Sequence, residues 1–77
     1  MKKILILGST GFIGRNAAEY FAEDSDLEVH GTYFKSPPLD HKNIQMIRAD
    51  LTNKDDVDRV IKGKNIILQA AAVTSGI

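Results

Sequence analysis

The sequence predicts an α/β domain, a four-stranded parallel sheet wound with helices. Two observations carry this. An apolar run, Ile4-Leu5-Ile6-Leu7, leads into Gly8-Ser9-Thr10-Gly11-Phe12-Ile13-Gly14 and then into a segment with helical spacing. Beyond it the pattern continues as β-α-β-loop-β-α-β, an order that calls for right-handed crossovers between parallel strands. With 77 residues, 43% of them apolar and 26% charged, the chain has room for one small domain of ordinary soluble composition.

The elements follow in order. Lys2 to Leu7 is the first strand, and its continuous apolar run fits a strand covered on both faces. The first helix is expected from Phe12 to Glu23. Phe12, Ile13, Asn16, Ala17, Tyr20 and Phe21 recur at helical spacing and are read as its inward face. Leu27 to Phe34 alternates Leu27, Val29, Gly31 and Tyr33 with Glu28, His30, Thr32 and Phe34, which predicts a second strand with one largely apolar face. Pro37-Pro38 makes Lys35 to Asn43 a loop. Ile44 to Ala49 is a third strand. Thr52 is expected to cap a helix from Asn53 to Lys62, with Asp55 and Asp56 at its positive end. Val57, Val60 and Ile61 form its buried stripe, and Gly63 ends it. Asn65 to Gln69 is a fourth strand, followed by Ala70-Ala71-Ala72.

Composition excludes several classes of function. Ten acidic and ten basic residues cancel, and the basic ones are not interleaved with aromatics, so no nucleic-acid or membrane partner is expected. The chain has no cysteine, which rules out disulfides and thiolate metal sites. His30 and His41 lack a second-ligand pattern and read as strand and loop residues. The apolar run after Met1-Lys2-Lys3 is too short for a signal segment or a membrane span, and a cytoplasmic protein is expected.

Strand, glycine turn and helix in that order are the context of a dinucleotide fingerprint. Gly8 lets the chain turn out of the strand, Gly11 lets the backbone approach a pyrophosphate, and Gly14 lets the helix pack closely on the strand. The helix N-terminus adds unpaired N–H groups and partial positive charge. The spacing is G-x-x-G-x-x-G, not the G-x-G-x-x-G of the standard Rossmann dehydrogenases. The alternative is a strand-to-helix turn with no ligand.

Spacing and filling together resemble the short-chain dehydrogenase/reductase superfamily. The closest likeness is to its extended branch, the NAD(P)-dependent epimerases, dehydratases and reductases of nucleotide sugars. The likeness runs the length of the chain and covers the first part of such an enzyme. It implies a partial Rossmann-type sheet with strand order 3-2-1-4. It also implies cofactor contacts at Gly8, Thr10, Gly11, Phe12, Ile13 and Gly14. Tyr33 stands where NAD-preferring members carry Asp. With no carboxylate there, and with Lys35 and Ser36 just beyond, NADP is favoured over NAD. Such members often carry two arginines, and here a single basic residue follows the strand. Lys35 as a solvated loop lysine is the alternative. The resemblance assigns Asp50 and the Leu51 N–H to the adenine edge, against Asp50 as a helix cap or loop brace. It assigns Ala70, Ala71 and Ala72 to close backbone approach near the nicotinamide ribose and diphosphate.

The superfamily's acid/base Tyr has a Lys four residues later. Here Asp24 follows Tyr20 at that spacing and Pro37 follows Tyr33. No catalytic residue is therefore assigned, and these 77 residues are expected to bind a cofactor without turning over substrate. The parent activity implied is epimerisation, dehydration or reduction of a nucleotide-linked sugar. A non-catalytic NADP(H)-binding module and an inactive fragment are the alternatives. Ile66, Ile67 and Leu68 would make the fourth strand an apolar edge prone to self-association.

Overall fold

The structure, a computed structural model, describes residues 1–70. Strand β1 (Lys2–Leu7) is followed by helix α1 (Phe12–Ala22), β2 (Leu27–Tyr33), β3 (Ile44–Arg48), α2 (Lys54–Ile61) and β4 (Ile66–Gln69). The sheet is parallel throughout, in the order β3-β2-β1-β4. This is a Rossmann-type arrangement with the predicted strand order. Element ends differ from the predicted ones by a residue or two, as fraying termini do.

β1 lies inside the sheet and is buried from Ile4 to Leu7. Its alternate side chains face opposite layers. Ile4 and Ile6, with Val29 and Ile44, pack under Ala18 and Ala22 of α1. Leu5 and Leu7, with Ala49, pack under Val60 of α2. β2 is likewise covered on both sides. His30 and Thr32 are buried along with Val29, so the expected one-faced strand is a two-faced one.

Two local expectations are corrected. Helix α1 turns a small-residue stripe, Gly14, Ala18 and Ala22, to the sheet. Phe12, Ile13 and Tyr20 are 84%, 71% and 74% exposed, and Asn16 is exposed too. Only Ala17 and Phe21 of the expected inward face pack against the core. The helix approaches the sheet too closely for bulk along its inner line. The cap of α2 is Asn53 rather than Thr52. Its side chain accepts the Asp56 N–H at 3.1 Å. Thr52 bonds back to Asp50.

After α2 the chain turns at Lys62-Gly63. Lys62 at φ −63°, ψ 130° and Gly63 at φ +77° make a type II turn, closed by Lys64 N–H on the Ile61 carbonyl at 3.2 Å. Strand β4 follows at the sheet edge. Ile66, Ile67 and Leu68 are 42%, 46% and 36% exposed. No helix among the described residues is long and apolar enough to cross a membrane.

Candidate functional site

The site begins where β1 ends. Gly8 has φ +80°, a conformation that favours glycine, and it swings the chain out of the sheet. A Cβ on Gly14 would collide with the Gly8 carbonyl oxygen and come within 2.9 Å of Ser9 Cα. Gly14 therefore presses the helix onto the turn itself, not onto the strand as the sequence reading had it. Gly11 differs. A Cβ there would meet only the Gly8 oxygen, at 3.8 Å, an ordinary contact. The fold makes no steric demand for glycine at this position, and the space above it is open.

Gly11 is also the N-cap of α1. No side chain caps the helix, its first turn has no acidic residue, and Arg15 N–H bonds the Gly11 carbonyl at 2.8 Å. The first-turn N–H groups at Phe12 and Ile13 precede the intrahelical ladder, and the partial positive charge of the helix end is not neutralised locally.

A cleft of about 340 Å³ opens beside the turn. One wall is Gly8 and Thr10. A second is residues 32–36, where β2 ends. The third is residues 49–52, which follow β3. Of the predicted residues, Gly8, Thr10, Tyr33, Lys35, Asp50 and Leu51 meet around this space. Gly11, Phe12, Ile13 and Gly14 lie at the helix start next to it. Ala70 leaves β4 with its N–H on the Leu7 carbonyl at 2.9 Å and packs against the core. Ala71 and Ala72 lie outside the described residues.

Asp50 is held firmly. Its Oδ1 accepts the Thr52 hydroxyl at 2.6 Å and the Thr52 N–H at 2.9 Å. Its own N–H donates to Asp56 Oδ2 at 2.9 Å. Thr52's hydroxyl and then its N–H keep the Asp50 carboxyl below its ordinary value, with further help from the charges of Lys35 and Arg48. The loop-brace reading of Asp50 is thus correct as far as Oδ1 goes. Among the described residues nothing bonds Oδ2 or the Leu51 N–H, so an acceptor and a donor remain side by side at the cleft.

Three residues escaped the sequence reading. Ser9 and Thr32 are buried and bonded to each other. Arg48 pairs with Tyr33 in the β2–β3 register and places its guanidinium over the Phe34 ring, 4.9 Å from the centroid. It is a second basic group near the end of β2, contributed by a neighbouring strand. Only knowledge of the strand register could have found it.

Residues 4–77 match the NAD dependent epimerase/dehydratase family. The chain belongs to that family. A curated relative is the low-salt glycan biosynthesis protein Agl12 of Haloferax volcanii, 31% identical over 78 residues, covering 90% of this chain and 25% of that protein. Among solved structures, the PbgP3 protein of Burkholderia pseudomallei superposes with a TM-score of 0.77 at 33% identity, over 95% of this chain and 23% of its own. A uronate dehydrogenase variant of Agrobacterium tumefaciens, complexed with NAD, does so at 0.73 and 25% identity, over 96% of this chain and 28% of its own. The chain thus spans about a quarter of the length of these family relatives. The family binds NAD(P), which fits the open Gly11 turn and the cleft at the strand ends.

Proposed function

We propose that these residues form the dinucleotide-binding part of an NAD(P)-dependent enzyme that epimerises, dehydrates or reduces a nucleotide-linked sugar. The observation that carries the reading is the glycine turn. Gly8 and Gly14 are required by the fold, whereas Gly11 is left open beside an uncapped helix start. A pyrophosphate laid over Gly11 meets backbone N–H groups and the positive helix end. Adenosine follows into the cleft, with its amino group at Asp50 and a ring nitrogen at the Leu51 N–H. Ala70, where β4 ends, gives close backbone approach near the nicotinamide ribose. When bound, the nicotinamide supplies reversible hydride acceptance. These residues bind and orient it, and the acid/base groups come from the rest of the whole protein. The NAD held by the uronate dehydrogenase variant supports the cofactor reading, and the name of Agl12 supports a role in sugar chemistry. A cytoplasmic setting, where these cofactors and nucleotide sugars are found, goes with it.

NADP is favoured over NAD in this reading. No carboxylate ends β2 to repel a 2′-phosphate, Lys35 lines the cleft, and the charges of both Lys35 and Arg48 reach Asp50 there. The test is calorimetric titration of NADP and NAD against the parent and Gly11→Val. The valine should abolish binding while the circular dichroism spectrum is kept. Equal binding by Gly11→Val would place the cofactor elsewhere.

The β4 edge supports a second property, self-association of the 77 residues when isolated. Ile66 and Leu68 pair with buried Ile4 and Ile6, so they share that sheet face yet stay exposed. Sedimentation velocity should show dimers or larger species that Ile66→Lys disperses. A parent chain that sediments as a monomer at high concentration would refute this.

A further inference from the structure

Three hydrogen bonds from two adjacent residues of the glycine turn end on one residue of β2. Gly8 N–H donates to Thr32 Oγ1 at 2.8 Å. Ser9 N–H donates to the Thr32 carbonyl at 3.2 Å, and Ser9 Oγ donates to the same carbonyl at 3.0 Å. Thr32 is 1% exposed and Ser9 fully buried. Ser9 fits because Gly31 has no side chain: a Cβ there would collide with Ser9 Oγ and lie 2.8 Å from Ser9 Cβ. The cluster therefore joins two walls of the cleft. On one side stands the turn that would face a diphosphate. On the other, Tyr33 to Ser36 continue directly from Thr32 along the adenosine wall.

We propose that Thr32 is a positioning residue for the diphosphate half of the cofactor, acting through the Gly8 N–H. Gly8 sits at φ +80°, and the peptide that carries its N–H is held on the β4 side by the Ala70 N–H on the Leu7 carbonyl at 2.9 Å, so on the β2 side its only partner among the described residues is Thr32. The Thr32 hydroxyl completes the support of that plane from the β2 side, and with it steers the path of Ser9, Thr10 and Gly11. A valine at position 32 keeps the shape of the side chain but leaves a part-buried N–H without an acceptor. The turn then shifts to rehydrate that N–H, while residues 33–36 remain anchored by β2. The inference rests on the cofactor reading above, and it adds that the two halves of the ligand depend on Thr32 unequally.

The test compares NADP with 2′-AMP, which carries adenosine and the 2′-phosphate but no diphosphate. Both are titrated against the full protein, Thr32→Val and Thr32→Ser. The expected result for Thr32→Val is a loss of about tenfold in NADP affinity, with 2′-AMP affinity unchanged and Thr32→Ser restoring NADP binding. Hydrogen exchange at the Gly8 amide should speed up in the valine variant alone. If Thr32→Val does not fold, Thr32→Ala, which removes the same acceptor of the Gly8 N–H, must show the same selective loss. Equal losses for both ligands would mean that Thr32 only stabilises β2, and unchanged NADP binding would mean the turn needs no such support. Either result overturns the inference while leaving the cofactor reading intact. A parent protein that binds neither ligand would overturn both.

Discussion

Arg48 lies over the ring of Phe34, its guanidinium carbon 4.9 Å from the centroid, and its residue pairs with Tyr33 across the β2–β3 ladder. The end of β2 therefore faces basic side chains from two sources, Lys35 in its own loop and Arg48 on the next strand. Contact with the ring restrains the guanidinium, a support that a lone loop lysine lacks.

This yields an expectation about cofactor choice. Lys35→Ala and Arg48→Ala should each reduce the preference for NADP over NAD, and Arg48→Ala should reduce it more. A charge-assisted hydrogen bond to a 2′-phosphate contributes roughly 1.5–3 kcal/mol before discounting for solvent screening, so a change of about tenfold or less is expected per residue. Calorimetry at one fixed salt concentration decides it. If NAD binds the parent as well as NADP does, or if neither substitution alters the ratio, these cations do not read the phosphate.

Gly14 and Gly11 should respond differently to the same small change. Alanine at Gly14 drives a methyl group into the backbone of Gly8 and Ser9, and neither atom can swing aside. Overpacking of this kind costs about 1–3 kcal/mol, and thermal unfolding should show it. Alanine at Gly11 meets one atom at 3.8 Å and should leave the melting temperature nearly unchanged. A melting temperature for Gly14→Ala equal to the parent's would refute the close contact between helix and turn.

Acid should weaken the fold through two carboxylates. His30, bonded through Nε2 at 2.6 Å, is the main cause that lowers Glu28, with the charges of His30, Lys3 and Lys64 adding to it. Thr52 lowers Asp50. Both groups hold protons less tightly folded than unfolded. Their contribution is therefore complete above the ordinary carboxylate range and is lost as pH falls through the lowered values. Thr52→Val removes the hydroxyl donor, so the Asp50 carboxyl should titrate at a higher pH, as followed by carbon-13 NMR. Glu28→Gln should flatten the acid limb of the stability curve. An Asp50 titration unmoved by Thr52→Val would show that the hydroxyl bond does not form in solution.

The sequence by itself determined the succession of strands and helices, the loop at Pro37-Pro38 and the glycine turn, while the strand order came from the resemblance to Rossmann-type enzymes. These are local matters. Apolar runs, proline geometry and glycine spacing act within a few residues, and parallel crossovers leave few topologies open. It also placed Tyr33, Lys35, Asp50 and Leu51 at strand ends, which a parallel sheet brings to one edge. Tertiary structure decided the rest. Helical spacing pointed to Phe12, Ile13, Asn16, Ala17, Tyr20 and Phe21 as the inward face of α1, but which line of the helix meets the sheet is not a local matter. The contact of Gly14 with Gly8 settled that, and Phe12, Ile13 and Tyr20 were left outside. Thr52 was expected to cap α2, but its hydroxyl donates to Asp50 and Asn53 takes the cap. The Thr32 tether and the nearness of Arg48 to Phe34 depend on which residues stand side by side across the sheet. Such neighbours are far apart in the chain, and only the register of the parallel strands brings them together.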